Sequence, residues 1–324
     1  MHASPAVAGN VLFIGSCAGT FYVLDKTTGQ VKWSYNIRKD GDQNNFHGSP
    51  LITDDLVITG TDGGSPPTGI GNVYAFDRTT GTVRWKYSAG RGVPTDIVRL
   101  NNNLYAVTFD DELICLDLKT GQLKWSFRSG NRNDEFFGNV SPVVEANRVY
   151  FGGLDGKLYA LDSKSGKRLW EKDLGARISG SLAISGGSLY VGSANKRIYQ
   201  LNAKNGEVIS EFAPDAGIYW AFVISQDSVI THVGDRTLAS LPKSLGEPRW
   251  TQEWTKPWSS SQPYLWRETT IVGTEDGEVV AFRLSDGSRV WADKFTGPIG
   301  GIGGDDKILY IGTRSGTVYA YAPK

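Results

Sequence analysis

Apolar residues fall along this chain in short runs broken by turn formers. Residues 141–172 are representative: Ser141-Pro142-Val143-Val144, Arg148-Val149-Tyr150-Phe151-Gly152, Lys157-Leu158-Tyr159-Ala160-Leu161-Asp162 and Arg168-Leu169-Trp170-Glu171-Lys172. Each run is rich in β-branched or aromatic residues and bounded by Gly, Asn, Asp or Ser, which predicts four strands, A to D, per unit. An eleven-residue pattern spans strands C and D: small residue, x, Asp, three residues, Gly, three residues, Trp. It is complete at 23–33, 75–85, 115–125 and 160–170, degraded at 200–210, 240–250 and 281–291, and begun again at 317–321. Its glycines, at 29, 81, 121, 166, 206, 246 and 287, are 52, 40, 45, 40, 40 and 41 residues apart. A β-type repeat with a period near forty predicts a propeller.

The expected fold is therefore all-β: an eight-bladed β-propeller of four-stranded antiparallel blades in a single domain over 1–324. The blades are expected at about 3–36, 48–88, 93–128, 140–173, 180–213, 220–254, 262–295 and 300–324. The Asp-x-x-Thr-Gly run belongs to the C–D hairpin, where Asp accepts backbone N–H groups and Gly supplies a positive φ. That makes the repeated acid structural. The Ala of the pattern is expected to be small because inner strands crowd at the axis, and the Trp to cover the seam to the next blade. The last unit stops after its strand C while the first begins with strand A at 3–7, so the eighth blade is expected to lack its outer strand. A strand-D segment upstream of His2 is the simplest complement, and a three-stranded last blade the alternative.

Composition narrows the function classes. Lys plus Arg equals Asp plus Glu at 34 each, which leaves no basic excess for nucleic acid and no acidic tail. No stretch of about 18 apolar residues could span a bilayer, so a soluble monomer without a transmembrane segment is expected. Cys17 and Cys115 belong to different blades, out of disulfide reach. Two unpaired thiols fit a reducing compartment slightly better than an oxidising one.

The repeated A-x-D-x-x-T-G-x-x-x-W string resembles the tryptophan-docking motif of the pyrroloquinoline quinone-type propellers, and the resemblance covers essentially the whole chain. That superfamily includes quinoprotein alcohol dehydrogenases and the outer-membrane assembly lipoprotein of the Bam complex. For the dehydrogenases it implies a quinone stacked on a Trp in the central funnel, a calcium ion held by acidic and amide groups, an Asp base and a disulfide between adjacent cysteines. This chain has no Cys-Cys pair and is far shorter. Pyrroloquinoline quinone with calcium is thus disfavoured, no cofactor is expected, and the size looks like the compact Bam-type members. Such a resemblance implies a periplasmic or extracytoplasmic protein, with the cytoplasm as the alternative.

A site is expected where the B–C and D–A loops meet, because three loops there are expanded: 37–48, 62–71 and 128–139. Residues entering strand A at that end include Phe46, His47, Arg91, Arg132, Glu135, Arg177, Tyr219, Trp220 and Trp258. Arginines among aromatics suit a small anionic or carbohydrate ligand, or a protein partner. The alternative is that the arginines pair with neighbouring acids and the aromatics fill the channel. His47 with Arg177 or Arg132 could also serve a polysaccharide lyase as base and charge neutraliser. His232 reads as a core residue, and the acidic clusters at 54–55, 110–112 and 305–306 as turns rather than metal sites. Blades 5 and 6 depart most from the repeat and carry four extra tryptophans between 220 and 266, either a docking surface or seam filler. The reading favoured by the sequence is a non-catalytic scaffold that binds a partner or small ligand at the loop-rich end. A quinoprotein-type dehydrogenase and a lyase are the alternatives.

Overall fold

The computed structural model describes residues 3–41, 43–63, 70–129, 140–178, 182–214, 222–234, 236–258 and 262–322. Its strands form eight antiparallel sheets in strict chain order, seven of four strands and a last one of three among the described residues. The sheets cover residues 6–36, 51–88, 98–128, 143–173, 182–212, 223–253, 264–294 and 299–321. This is the all-β, eight-bladed propeller fold. By compactness the chain divides into two units, Met1–Asp173 with blades 1 to 4 and Leu174–Lys324 with blades 5 to 8.

Strands B and C of blades 2 to 7 are largely buried on both faces, and the alternation of side chains divides them between two seams. In blade 2, Val57, Tyr74 and Phe76 face blade 1 and pack with Phe13, Phe21 and Val23. The intervening Ile58, Val73 and Ala75 face blade 3 and pack with Leu104, Ala106, Ile114 and Leu116. Double burial explains why these strands read as continuous apolar runs. Strand D is the outer strand, with alternating exposure in blades 1, 3 and 4.

The repeat motif is the joint between successive blades. In all four complete copies the turn Asp accepts two backbone N–H groups: Asp25 from Thr27 and Thr28, Asp77 from Thr79 and Thr80, Asp117 from Lys119 and Thr120, Asp162 from Lys164 and Ser165. The Trp of one blade then lies on the turn glycine of the next, Trp33 on Gly81, Trp85 on Gly121, Trp125 on Gly166 and Trp250 on Gly287, so close that a Cβ there would come within 3 Å of the ring. The indole N–H of Trp33, Trp85 and Trp250 donates to a carbonyl of that same turn, at Arg78, Leu118 and Leu284 (3.1, 3.0 and 2.9 Å). Trp125 has no such bond. The equivalent carbonyl, Ser163 O, already accepts the Tyr105 hydroxyl at 2.7 Å.

Crowding at the axis is not what keeps the first motif position small. Val23, Ala75, Cys115, Ala160, Ser240 and Ala281 each sit directly across strands C and D from the Trp, and the small side chain makes room for the indole. Where the Trp is lost the partner changes with it. Ser210 stands opposite Gln200 and donates to its Oε1 at 2.7 Å, so a polar pair replaces the indole. The next turn, built on Pro242 and Gly246, has lost its docked ring too, and Tyr190 bridges this seam by donating to Lys243 O at 3.0 Å.

His232 is a core residue, as its strand-B context implies, but it is packed rather than hydrogen-bonded. It is 1% exposed, lies parallel to Trp258 with centroids 5.8 Å apart, and neither ring nitrogen has a partner. Burial pushes its pKa down to about 3.

Two predictions follow from this packing. Gly29 and Gly121 share the left-handed turn conformation (φ +72° and +69°), but nothing lies within 4 Å of a Cβ at Gly29 while Trp85 blocks one at Gly121. Gly29→Ala is expected to cost about 1 kcal/mol of backbone strain, and Gly121→Ala to cost on the order of 2 kcal/mol more, because the added methyl group overpacks the joint. Urea unfolding of the two variants measures the difference, and equal costs would remove the docking contribution. For His232 the folded-state pKa lies below the unfolded value, so the unfolded chain binds the extra proton and stability falls as pH drops from about 6.5 towards 3, by roughly 5 kcal/mol at most. His232→Phe keeps the stacking and removes the two orphaned nitrogens, so unfolding midpoints should be unchanged or higher at pH 7 and clearly higher at pH 4.5.

Candidate functional site

The expanded 37–48 loop is tied down along its length to blades 1 and 2. Ile37–Asp40 forms a short 3-10 turn capped by Asn36, whose side chain accepts the Arg38 N–H at 2.9 Å. Asp40 accepts hydroxyl protons from Tyr35 and Tyr74 at 2.6 and 3.0 Å. Burial acts to raise its pKa, but these two bonds and the charges of Lys86 and Lys39 outweigh it and hold the carboxyl below its usual range. Gln43, 1% exposed, is bonded on both sides of its amide: Nε2 donates to Tyr74 Oη and Ile37 O, and Oε1 accepts from Thr61 Oγ1 and Asn72 Nδ2. A buried amide satisfied in this way latches the loop to blade 2.

Beyond the latch the chain pairs with the loop that follows strand B of blade 2. Asn44 and Asn45 N–H groups donate to Asp62 O (2.9 and 3.1 Å), and Asp62 N–H donates to Asn45 O at 3.2 Å. Asp62 also bridges to Gly92 and has no exposed surface. Its carboxylate meets His47, with Nδ1 to Oδ2 at 2.6 Å. The second hydrogen-bond partner of the imidazole is the Cys17 sulfur, from the B–C turn of blade 1. Burial acts to lower the His47 pKa, but the bonds and charges of Asp62 and Cys17 overcome it and raise the pKa to about 9. His47 is thus an imidazolium at neutral pH, poorly suited to the general-base role a lyase requires.

The other expected site residues lie apart from this cluster or inside the fold. Phe46 has no exposed surface: it packs against Phe21 in the blade 1–2 core, and a Cβ on Gly15 would collide with it. Arg91 is paired with Asp110 at 3.6 Å. Arg177 is exposed, and its carbonyl accepts the Ala194 N–H at 2.9 Å. Trp258 is 3% exposed and stacked between His232 and Trp254. Arg132, Glu135, Tyr219 and Trp220 lie outside the described residues.

Two acids gain weight that their turn context did not reveal. Asp111 is fully buried at a φ of +54° and accepts bonds from Ser129 Oγ and Leu154 N–H. Burial raises its pKa to about 6, opposed by those two bonds and reinforced by the Asp155 charge. Asp62 is the residue that sequence reasoning missed. The scarcity of His and the presence of a Cys in the adjoining B–C turn were the available signals.

The described residues do not fit a quinone–calcium site. The two cysteines are in separate blades, neither of them in a disulfide, and the one funnel-end Trp that is described, Trp258, has almost no face open to a ligand. Among the described residues no three His, Cys, Asp or Glu side chains gather to hold a metal ion. No helix among them is long and apolar enough to cross a membrane.

Known proteins align with this architecture end to end. The family described as outer membrane protein assembly factor BamB matches residues 1–66, 66–177 and 155–301. The Yersinia pestis factor of that name is 26% identical over 179 residues, covering 52% of this chain and 42% of its own length. The one from Burkholderia pseudomallei is 22% identical over an alignment covering 99% of this chain and 84% of the relative. The matched part of this chain spans less than half the length of the Yersinia protein. A quinone alcohol dehydrogenase subunit of Gluconobacter oxydans aligns with only 26% of the chain. The crystal structure of BamB from Moraxella catarrhalis superposes with a TM-score of 0.83 at 19% identity, over 99% of this chain and 96% of that one, and so shares the fold. This chain belongs to the family of the outer membrane protein assembly factor BamB.

Proposed function

We propose that this chain is a non-catalytic scaffold that binds protein partners during the assembly of outer membrane proteins, on the extracytoplasmic side of the inner membrane. The observation that carries the reading is that the expanded 37–48 loop and its neighbours spend their polar groups on one another. The Gln43 latch, the His47–Asp62 pair and the Arg91–Asp110 pair make a rigid rim, with Phe46 turned into the core. A rigid rim with paired charges suits a protein surface better than a small anion, which needs guanidinium groups free to converge on it. The family assignment supports the same reading. We take the eight blades to act as one domain and the chain to work as a monomer without a cofactor.

Among the described residues of the expected partner face, Arg177 is the exposed one. Its reversal, Arg177→Glu, is expected to weaken capture of the purified chain by other outer-membrane assembly components of its host by about tenfold, with an unchanged melting temperature. Cells without the chain should hold several-fold less folded outer-membrane β-barrel protein, restored by the wild-type chain and less well by the variant. Normal levels in its absence would defeat the assembly role. Pyrroloquinoline quinone with calcium should leave the melting temperature unmoved, whereas a dose-dependent rise would return the chain to the dehydrogenases.

A further inference from the structure

The scaffold role has no use for the chemistry gathered around Cys17. This cysteine lies in the B–C turn of blade 1, between Ser16, whose carbonyl accepts the Gly19 N–H at 3.1 Å, and the start of strand C. It is half-buried and not in a disulfide. His47 reaches it from the far end of the 37–48 loop, and Asp62 backs His47 from blade 2. The Asp62 backbone is bonded on both sides, so carboxylate and ring are both held in place. With Nδ1 occupied by Asp62, Nε2 is the nitrogen left for the thiol. A nucleophile, a basic ring and a buried carboxylate in series are the arrangement that activates side-chain nucleophiles on many unrelated folds.

We propose that Cys17, His47 and Asp62 form a thiolate–imidazolium site at which Cys17 exchanges with small anionic disulfides. Cys17 is the nucleophile, His47 its ion-pair partner and proton donor, and Asp62 a positioning residue that stabilises the imidazolium. In the step, the Cys17 Sγ electron pair attacks one sulfur of R–S–S–R. A Cys17–S–S–R bond forms, the original S–S bond breaks, and its electron pair leaves on R–S⁻, which takes the proton from His47 Nε2. Cys17 is oxidised and one R–S group is reduced to the thiol, so no other oxidant enters. Among the described residues His47, itself backed by Asp62, is the charged partner of the thiol, and Arg38 lies along the same turn. A Cβ on Gly19, two residues along the turn, would come within 3.1 Å of Arg38 Cγ and 3.2 Å of its Nε. That guanidinium favours disulfides that carry carboxylates.

The chain contains its own control. Cys115 is fully buried in the blade 3–4 core, and burial pushes its thiol up to about 11. The test is the reaction of the folded, full-length chain with dithiobis(nitrobenzoate), followed by release of the aromatic thiol from pH 5 to 9, with mass spectrometry to locate the mixed disulfide. Cys17 should be labelled and Cys115 spared until denaturant is added. The Cys17 rate should stay nearly flat down to about pH 6, against an inflection near 8.5 for an ordinary thiol. His47→Gln should restore that ordinary inflection and slow the reaction at pH 6 by about tenfold, since the gain in thiolate fraction is partly offset by the lower intrinsic nucleophilicity of a low-pKa thiolate. Asp62→Asn, which keeps a hydrogen-bonding side chain and removes the charge, should move the inflection part of the way. The unaltered chain decides the matter even if a variant fails to fold: a Cys17 inflection near the ordinary thiol value, or no labelling of Cys17 before denaturation, would overturn the proposal.

Discussion

Packing of a blade's outer Trp on the turn glycine of the next blade is the constraint on which the rest of each unit depends. One contact couples three requirements. The turn must adopt a positive φ, which selects Gly; an acid must hold the turn's N–H groups, which selects Asp; and the residue across from the Trp must be small. Because the ring of one blade is set by the turn of the next, the joint also fixes the spacing at which strands B and C of neighbouring blades interdigitate. The cores of the blade 1–2, 2–3 and 3–4 seams follow from that spacing, as does that of the blade 6–7 seam in the second unit. The exceptions obey the same logic. Ser210 and Gln200 replace Trp and its small partner together, and the turn that would have received the indole has changed as well.

Rigid joints of this kind leave functional variation to the loops at the ends of the strands. In unit 1 the loops are not loose: Gln43, Asp40 and Asp62 are each bonded to more than one element. Buried polar groups in this position are expensive unless fully satisfied, and their satisfaction holds His47 in one orientation. The polar network therefore has two consequences. It stiffens a rim suited to a protein partner, and it sets an imidazolium beside a cysteine.

How much was legible differed sharply between fold and site. The blades and the C–D turns could be read because their signals are local: a strand run, an Asp two residues before an N–H it accepts, a Gly four residues after the Asp. The reason for the small first position was less visible, since the cross-strand pairing of Ala75 with Trp85 depends on register and a bulge rather than on sequence distance. Among the loop residues, Phe46 and His47 are neighbours in sequence and identical in loop context, yet one is wholly buried with Phe21 and the other reaches Asp62. Nothing in their order announces which way each points. Asp62 looked like any loop acid, and only its burial against His47 distinguishes it.

The sequence by itself therefore determined the sheet count, the four-strand unit, the turn chemistry and the membership of a propeller family, because each rests on interactions within about ten residues or on a period repeated along the chain. Tertiary structure alone decided which loop side chains face inward, which charges pair and which residues gather around Cys17. Residues 17, 47 and 62 come from three separate loops of two blades. What brings them together is the packing of one blade on the next, a long-range constraint that leaves no local trace at the positions it joins.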